Sequence, residues 1–282
     1  MRYLHGRLWA FVLCLPLLAS AATPAAKQAP VPAPAQRGGV PVLIYHEVVT
    51  DTRVEGDTVI SLANFSEQMQ LLADEGWATI GIDELVRSMK GEITLPANAV
   101  VLTFEDGWKS VLNATPVLER LGFKASFMII PGNGIGGDYL GWSDIEKLAK
   151  NPRFGIVSHT MSHPWDQRNN LVTWVQDKAN ERGRQDALYE LSESKRVLEQ
   201  RLARPVPQLA WPAGWFDDTL VKLAQEAGYT ALLTTEAGLN RRGDDVLRIR
   251  RTFVNGACDL LTFRRTLASG QTYTCQPRSR ND

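Results

Sequence analysis

The chain has 282 residues, of which 44% are hydrophobic and 22% are charged, so it has enough apolar material for one large globular core. Lys and Arg together number 31, as do Asp and Glu, so no net charge attracts nucleic acid or an anionic membrane. No basic run with interleaved aromatic residues is present, and nucleic-acid binding is not expected.

The N-terminus has the pattern of a secretory signal peptide. Two arginines precede an apolar run from Leu8 to Leu18, and Ala19-Ser20-Ala21 supplies the small residues typical of a cleavage site. The run is shorter than the ~20 apolar residues that span a bilayer. We therefore expect residues 1–21 to be removed and the protein to be periplasmic or secreted, with no transmembrane segment in the mature chain.

Residues 22–39 are rich in Pro and Ala and predict a solvated linker, with folded sequence beginning at Val40. From there, strand and helix patterns alternate. About seven such units favour a parallel sheet closed into a single (β/α) barrel. The predicted strands are 42–48, 99–104, 125–130, 155–158, 208–211, 230–234 and 247–254. The predicted helices are 64–76, 83–91, 115–122, one opening near Ser143, 181–202, 217–228 and 259–267.

Two adjacent carboxylates follow the buried strand pattern at 99–104, in the sequence Thr103-Phe104-Glu105-Asp106-Gly107. Active sites of βα barrels form at the C-terminal ends of the strands, where the loops converge. Neighbouring carboxylates point in different directions, so one can bind a metal while the other accepts a proton. On these residues alone, a solvated Asp-Gly turn is the better interpretation.

Two histidines four residues apart follow another strand, in His159-Thr160-Met161-Ser162-His163. At this spacing both can lie on one side of a helical turn and bind one metal. Together with Asp106 they make two imidazoles and a carboxylate, the composition of a catalytic zinc-type site with positions open to water. Two unrelated surface histidines are the alternative. A lone histidine, His46, ends the first strand and is by itself more typical of packing.

This combination resembles the polysaccharide deacetylase family, also called the NodB-homology family or carbohydrate esterase family 4, over roughly Val40 to Gly270. The family's T-F-D-D-G motif supplies a catalytic base and a metal ligand, and its H-[ST]-x-x-H motif supplies two further ligands. The resemblance implies a deacetylase domain at 40–270, a tail at 271–282, and a metal held by Asp106, His159 and His163. It implies a distorted (β/α)7-type barrel and one divalent metal ion, with zinc favoured over nickel, cobalt or iron.

Two further motifs extend the resemblance. Trp211-Pro212-Ala213-Gly214 is similar to the W-P-x-G motif, which implies that the Ala213 N–H binds the oxyanion. Tyr45-His46 is similar to the Y-H motif of the PgaB and IcaB type of poly-β-1,6-N-acetylglucosamine deacetylases, whose barrel is circularly permuted. The match implies that His46 is the acid. It also implies a partner polysaccharide of N-acetylglucosamine in the biofilm matrix, and raises polysaccharide export or synthesis machinery as a further partner.

The chain departs from the family pattern at the base. Glu105 stands where the family has Asp, and its extra methylene changes the reach of the carboxylate. The arginine that often holds the family's base is not at the matching place, and Arg248, Arg250 and Arg251 are candidate substitutes. Four tryptophans near the strand ends are candidate sugar contacts, against an alternative of barrel-top packing: Trp108, Trp165, Trp211 and Trp215.

Two cysteines remain after signal-peptide cleavage, Cys258 and Cys275, and an oxidising compartment would allow them to pair. Free thiols are the equal alternative.

Taken together, the signal peptide and the motifs predict an exported, metal-dependent carbohydrate N-deacetylase. Two other interpretations stay open: a catalytically inactive, metal-containing glycan-binding protein, motivated by Glu105, and a deacetylase of peptidoglycan or chitooligosaccharide.

Overall fold

The structure is a computed structural model that describes residues 38–51, 55–177 and 179–276. The predicted signal peptide, nearly all of the predicted linker and the end of the predicted tail lie outside the described residues. Among the helices that are described, none is long and apolar enough to cross a membrane.

Strands and helices alternate along the described chain, as the sequence predicts. The strands are β1 Val40–Tyr45, β2 Glu47–Val49, β3 Val59–Ser61, β4 Ala78–Thr79, β5 Ala99–Phe104, β6 Ala125–Ile129, β7 Phe154–Ser158, β8 Trp165–Asp166, β9 Asn169–Asn170, β10 Gln208–Ala210, β11 Ala231–Leu233, β12 Leu239–Asn240 and β13 Thr252–Phe253. The α-helices are α1 Leu62–Asp74, α2 Ile82–Met89, α3 Thr115–Leu121, α4 Trp142–Lys150, α5 Leu171–Gln176, α6 Arg184–Leu202, α7 Asp218–Glu226 and α8 Leu260–Ser269.

The main sheet is mixed and curled, with helices around it. Its strands lie in the order β11-β10-β7-β6-β5-β1-β12, and β13 also pairs with β1. The pairs from β1 through β5, β6, β7 and β10 to β11 are parallel, and β12 runs antiparallel to β1. This topology confirms the predicted single βα barrel.

The segment 246–254, here called the closing segment, hydrogen-bonds to both sides of the opening between β11 and β1. On the β11 side the Ile249 N–H donates to Leu232 O at 2.9 Å. On the β1 side β13 runs parallel to β1, with Phe253 opposite Ile44. The sequence predicts one continuous strand over 247–254. The structure instead divides it, because the segment leaves one strand and joins another.

Side-chain alternation separates two apolar layers. Alternate strand residues point to opposite faces of a sheet, and Leu43, Tyr45 and Phe104 pack outward in a cluster that includes helix residues. Val42 and Val101 belong to a second cluster on the inner face. Residues of the same parity beyond the strand ends therefore also face inward, at the C-terminal end of the barrel. These are His46, Glu105, His159, Arg251 and Phe253.

The first helix begins earlier than predicted. The sequence suggests a capping box of Asn64 with Glu67, but α1 begins at Leu62 and its N-cap is Ser61, whose Oγ accepts the Asn64 N–H at 3.2 Å. The error arises because Ser and Asn are both good N-caps. The Asn64 side chain instead donates to the carbonyl of Gly256 at 3.1 Å, which ties the helix to the segment after β13.

The C-terminal tail is bound to the barrel. Cys258, just before α8, forms a disulfide with Cys275 in the tail. Gly270 ends α8 with a left-handed φ of 66°, a conformation that glycine adopts without a Cβ clash, and turns the chain back across β13. There Thr252 Oγ1 donates to the Gly270 carbonyl at 2.6 Å.

Candidate active site

Three side chains from two strand-end loops converge at the C-terminal end of the barrel. Asp106 Oδ1 lies 3.3 Å from His159 Nε2 and 3.4 Å from His163 Nε2. One ligand atom from each residue falls within 4.8 Å of the others. His159 is buried, whereas the Asp106 and His163 side chains are 19% and 18% exposed. The three donors therefore face a point that solvent and substrate can reach.

His159 has one nitrogen bonded and one unpartnered. Its Nδ1 lies 2.8 Å from the Ala210 carbonyl at the end of β10, which favours the tautomer with the proton on Nδ1. Its Nε2 is buried and has no hydrogen-bond partner among the described residues. An orphaned imidazole nitrogen directed at a carboxylate and a second imidazole fits a divalent metal such as zinc.

Backbone strain is concentrated in the loops that carry these groups. Within the described residues, the non-glycine positions with positive φ are Asp106, Thr160, His163, Ala203 and Ala213. Ala203 ends α6, whereas the other four lie in strand-end loops. A non-glycine residue in this region costs about 1–2 kcal/mol. The sequence prediction of a helical turn between the two histidines is wrong, because Thr160 and His163 are both left-handed.

The loop between the two histidines is held by a buried carboxylate on α6. Glu190 accepts a hydrogen bond from the Ser162 N–H at 2.7 Å and another from Ser162 Oγ at 2.6 Å. Glu190 is only 5% exposed, so both bonds are shielded from water. Thr160 Oγ1 accepts the His163 N–H at 3.2 Å. Sequence analysis did not identify Glu190, because nothing local distinguishes it from the other charged residues of α6.

A hydrogen bond to the second carboxylate oxygen, Oδ2, orients Asp106. Trp108 Nε1 donates to Asp106 Oδ2 at 3.1 Å, and the Trp108 ring stacks on Tyr139 with a centroid separation of 4.6 Å. Burial raises the pKa of Asp106, but the nearby imidazoles of His159 and His163, each within 3.4 Å of Oδ1, outweigh it and hold the pKa far below its usual range. Asp106 is therefore a carboxylate, the form that binds a metal.

The pKa values of the two histidines are shifted in opposite directions. Burial lowers the pKa of His159, but the carboxylates of Glu105 and Asp106 outweigh burial and raise it overall. Burial and the neighbouring charge of His159 lower the pKa of His163 to about 4, although Asp106 acts in the opposite direction. His163 is thus neutral and able to offer a lone pair over the ordinary pH range.

Glu105 is paired with a fully buried arginine. Arg251 donates from Nη1 to Glu105 Oε1 at 2.5 Å and from Nε to the Thr234 carbonyl at 2.7 Å. The second carboxylate oxygen, Oε2, lies 3.9 Å from His159 Nε2. Burial raises the pKa of Glu105, but the charges of Arg251, His159 and His46 lower it to a net value below the usual one. One oxygen is therefore held and the other is directed at the metal-ligand cluster.

Only one of the three candidate arginines reaches this carboxylate. Arg250 forms an ion pair with Asp244 at 3.1 Å, and Arg248 lies over the Phe216 ring at 5.1 Å. Arg251 is one of the alternate residues of the closing segment whose side chains face the barrel interior, and it is 0% exposed. The sequence could not separate the three, because the choice depends on which of them faces the barrel interior.

His46 extends from the end of β1 beside Glu105. The Glu105 N–H donates to the Tyr45 carbonyl at 2.8 Å, so the ladder between β1 and β5 continues to the point where both side chains emerge. The His46 ring lies parallel to Phe253, with 8° between the planes and 5.9 Å between the centroids. Its Nδ1 is buried without a hydrogen-bond partner in the part of the chain that the structure describes.

Ala213 follows β10, whose last residue, Ala210, accepts the His159 hydrogen bond. It has φ 48° and ψ 13°, and none of the hydrogen bonds among the described residues uses its N–H. Gly214 follows with φ 75°, and a Cβ there would lie 1.9 Å from Thr235 Oγ1. The tight turn therefore requires glycine at this position and leaves the Ala213 N–H available to a ligand.

The four tryptophans divide into two groups. Trp165 and Trp215 are 63% and 41% exposed, and each follows a site residue by two positions. Trp211 is 0% exposed and stacks on Phe216 at 5.9 Å. The prediction that Trp211 contacts sugar is therefore wrong, because its position directly after β10 directs the side chain into a cluster with α5, α6 and α7. Trp108 is partly buried and positions Asp106.

Known proteins are similar to this chain in sequence. The profile described as polysaccharide deacetylase matches residues 92–232, half of the chain. YxkH of Bacillus subtilis (strain 168), whose name places it among polysaccharide deacetylases, is 24% identical over 218 residues, which cover 77% of this chain and 71% of YxkH. The poly-β-1,6-N-acetyl-D-glucosamine N-deacetylase of Escherichia coli (strain K12) is 22% identical over 236 residues, which cover 73% of this chain but only 35% of that protein.

A solved structure shows the same fold. IcaB from Ammonifex degensii superposes with a TM-score of 0.71 at 24% identity, covering 82% of this chain and 97% of IcaB. Its likeness supports the barrel architecture, while the family profile spans the strand-end loops that carry Glu105, Asp106, His159, His163 and Ala213. The chain belongs to the polysaccharide deacetylase family.

Proposed function

We propose that this chain is a metal-dependent N-deacetylase that removes acetyl groups from N-acetylglucosamine units of an exported polysaccharide. The observation that carries the proposal is the convergence of Asp106, His159 and His163 beside a carboxylate with one oxygen held by Arg251. A purely structural zinc site usually has four protein ligands. Three ligands next to a separate acid-base group instead suit hydrolysis.

In this proposal Asp106, His159 and His163 hold the metal, with zinc favoured and nickel, cobalt or iron as alternatives. Nitrogen and oxygen ligands accept several such ions. A divalent ion held there supplies Lewis acidity, which polarises the acetyl carbonyl and makes water easier to deprotonate. The partial exposure of Asp106 and His163 leaves room for water and for the acetyl group.

The chain's own residues then move two protons. Glu105 Oε2 takes a proton from water, and the resulting hydroxyl bonds to the acetyl carbon. The Ala213 N–H donates a hydrogen bond to the developing oxyanion, a contribution of about 3 kcal/mol for one such donor. His46, protonated, delivers a proton to the nitrogen as the C–N bond breaks. The products are acetate and a free amine, so one water is consumed for each acetyl group.

The glutamate at the base position is compatible with this mechanism. Misplacement of about 1 Å can cost about 100-fold in rate, so the longer side chain needs a fixed anchor. The ion pair with Arg251 supplies one, since it holds Oε1 and leaves Oε2 on the side of the metal ligands. This geometry favours an active enzyme over the inactive glycan-binding alternative.

The substrate is proposed to be poly-β-1,6-N-acetylglucosamine. Three observations support this choice: the Escherichia coli relative is named for that polymer, His46 lies at the end of the first strand, and Trp165 and Trp215 are exposed beside the site. Aromatic faces such as those of Trp165 and Trp215 suit the apolar faces of sugar rings. Peptidoglycan and chitooligosaccharide are the alternative substrates.

Acetate release from defined oligomers tests the proposal. Mature protein is stripped of metal, reloaded with zinc, nickel or cobalt, and incubated with β-1,6-linked, β-1,4-linked and peptidoglycan-derived N-acetylglucosamine oligomers. We expect metal-dependent acetate release that is greatest with the β-1,6 series and is abolished by Asp106→Ala. Binding of oligomers without acetate release from any of them, with every metal, would establish the glycan-binding alternative instead.

A further inference from the structure

The closing segment contacts both of the proposed proton-transfer groups. Arg251 and Phe253 are two residues apart in the closing segment, so their side chains lie on the same face. Arg251 pairs with Glu105, and the Phe253 ring lies parallel to His46. The base follows β5 and the acid follows β1, yet both are contacted from the closing segment.

Among the described residues, Phe253 is the aromatic side chain that lies against the ring of His46. An imidazole that acts in catalysis is commonly oriented by a hydrogen bond from its second nitrogen to a carboxylate or carbonyl. In the described chain His46 Nδ1 is buried and has no such partner. The parallel contact with Phe253, at 5.9 Å between centroids, lies within the range of aromatic pairs that gain energy from their geometry.

Phe253 is itself held firmly. Its backbone lies opposite Ile44 of β1, and the following N–H, that of Val254, donates to the Ile44 carbonyl at 3.1 Å. The Phe253 N–H donates to Thr272 Oγ1 in the tail at 3.3 Å. The backbone behind the ring is therefore fixed on both sides, by β1 and by the tail.

We propose that Phe253 is the positioning residue for His46, fixing the imidazole plane so that its proton reaches the departing amine. The proposal rests on the proposed deacetylase function and adds a residue to it. Arg251, in the same segment, positions the base. The closing segment therefore aligns both proton transfers, one through an ion pair and one through a ring contact.

Substrates with different leaving groups distinguish a misplaced acid from a misplaced base. An amine leaves an acetamide only when its nitrogen receives a proton, whereas the phenolate of an aryl acetate leaves without one. Hydrolysis of either substrate requires deprotonation of water by the base. A change that misplaces only the acid should therefore slow glycan deacetylation and spare aryl acetate hydrolysis, while a change that misplaces the base should slow both.

The test compares Phe253→Leu with wild type on a β-1,6-linked N-acetylglucosamine oligomer and on 4-nitrophenyl acetate. Removing the ring while keeping an apolar side chain should lower kcat on the oligomer about ten-fold, with KM and aryl acetate hydrolysis each within about two-fold of wild type. Phe253→Tyr keeps the ring and should restore kcat on the oligomer. His46→Ala should show the same selectivity with a larger loss of kcat on the oligomer. Arg251→Lys should slow hydrolysis of both substrates.

Three results would overturn the proposal. These are an unchanged kcat on the oligomer in Phe253→Leu, an equal loss on both substrates, or a rise in KM alone, which would make Phe253 a sugar contact. Leu261→Ala, at an exposed position on α8, is the matched control and should behave as wild type. Wild-type protein that releases no acetate from the oligomer would instead reject the proposed function, so the two failures are distinguishable.

Discussion

The strand-end loops and the closing segment contribute to the candidate site in different ways. The loops supply the proposed metal ligands and adopt left-handed conformations at Asp106, Thr160 and His163. The closing segment supplies no proposed ligand, and its hydrogen bonds run to strands on both sides. Apart from Ala203 at the end of α6, the left-handed non-glycine residues of the described chain thus lie in the loops that present reactive groups. A more regular segment holds the base and, as we propose, the acid.

This difference shows how a strained site can persist. Residues in sparsely populated backbone regions are maintained only when the surrounding structure over-determines them. Glu190 does so for the loop between the histidines, and Trp108 does so for Asp106. Arg251 performs the corresponding role for Glu105 from the opposite side of the site. The predictions below disturb one region at a time, from the largest expected effect to the smallest.

Asp106→Ala removes the only carboxylate among the three proposed metal ligands. We expect acetate release to fall at least about 1,000-fold, because the remaining two imidazoles cannot hold a divalent ion in place. Acetate assays and metal content after dialysis would measure the two effects together. Asp217→Ala, which alters a helix N-cap, is a control carboxylate change that should leave bound metal unchanged. Retention of metal and activity in Asp106→Ala would remove Asp106 from the site.

Arg251→Met breaks the closing segment's contact with the base. It leaves Glu105 buried without its cation, a change that costs about 3–5 kcal/mol when one partner of a buried pair is removed. Because Arg251 lowers the pKa of Glu105, its loss should raise that pKa and move the acidic limb of the pH–rate profile to higher pH. Activity at neutral pH should fall about 100-fold. Arg250→Met, at the neighbouring surface arginine, should leave the profile in place.

Cys275→Ser releases the tail that lies behind the closing segment. A disulfide that closes a loop of 17 residues should stabilise the fold by about 3 kcal/mol, since it limits the unfolded chain. Thermal unfolding should show Tm lower by about 6–12 °C, with metal affinity unchanged. A thiol assay on wild type should first find no free thiols. An unchanged Tm in Cys275→Ser would then show that the bound tail contributes little to stability.

Glu190→Gln loosens the loop region without touching a ligand. Gln can accept only one of the two hydrogen bonds that Ser162 donates, so His163 should be less well oriented. Partners of this kind typically change metal affinity 10–100-fold, and we expect about ten-fold weaker zinc binding. Competition with a zinc-sensitive dye would measure it. Glu193→Gln, on the exposed side of α6, is the matched control, and equal affinities in the two variants would contradict the role of Glu190.

The same contrast explains what the sequence could reveal. The predicted alternation of strands and helices and the barrel class are confirmed, because short continuous apolar runs mark β5, β6 and β7 as buried strands. The residues of the loops were found because Glu105-Asp106 and His159 to His163 are compact motifs. Their positions at strand ends then implied proximity, and the structure brings Asp106 and both histidines together.

The supporting residues could not be found in the same way. Arg251 and Phe253 face the site because of the side-chain alternation along the closing segment, of which only Thr252 and Phe253 form a strand. On composition alone, Arg248 and Arg250 are equally good partners for Glu105. Glu190 acts through a contact that spans 28 residues. Trp211 was assigned to the sugar because its motif is near the site, although strand direction places it in the core. Long-range pairing and side-chain direction depend on the closed barrel and not on local sequence.

Replacement of Glu105 tests the central claim most directly, since the proposed function requires this residue to deprotonate water. Acetate release from a β-1,6-linked oligomer would be compared for wild type, Glu105→Gln and Glu105→Asp, all loaded with the same metal. The account predicts a loss of at least about 1,000-fold in Glu105→Gln. It also predicts retained but reduced activity in Glu105→Asp, whose shorter side chain cannot reach both Arg251 and the water. Wild-type rates in both variants would contradict it.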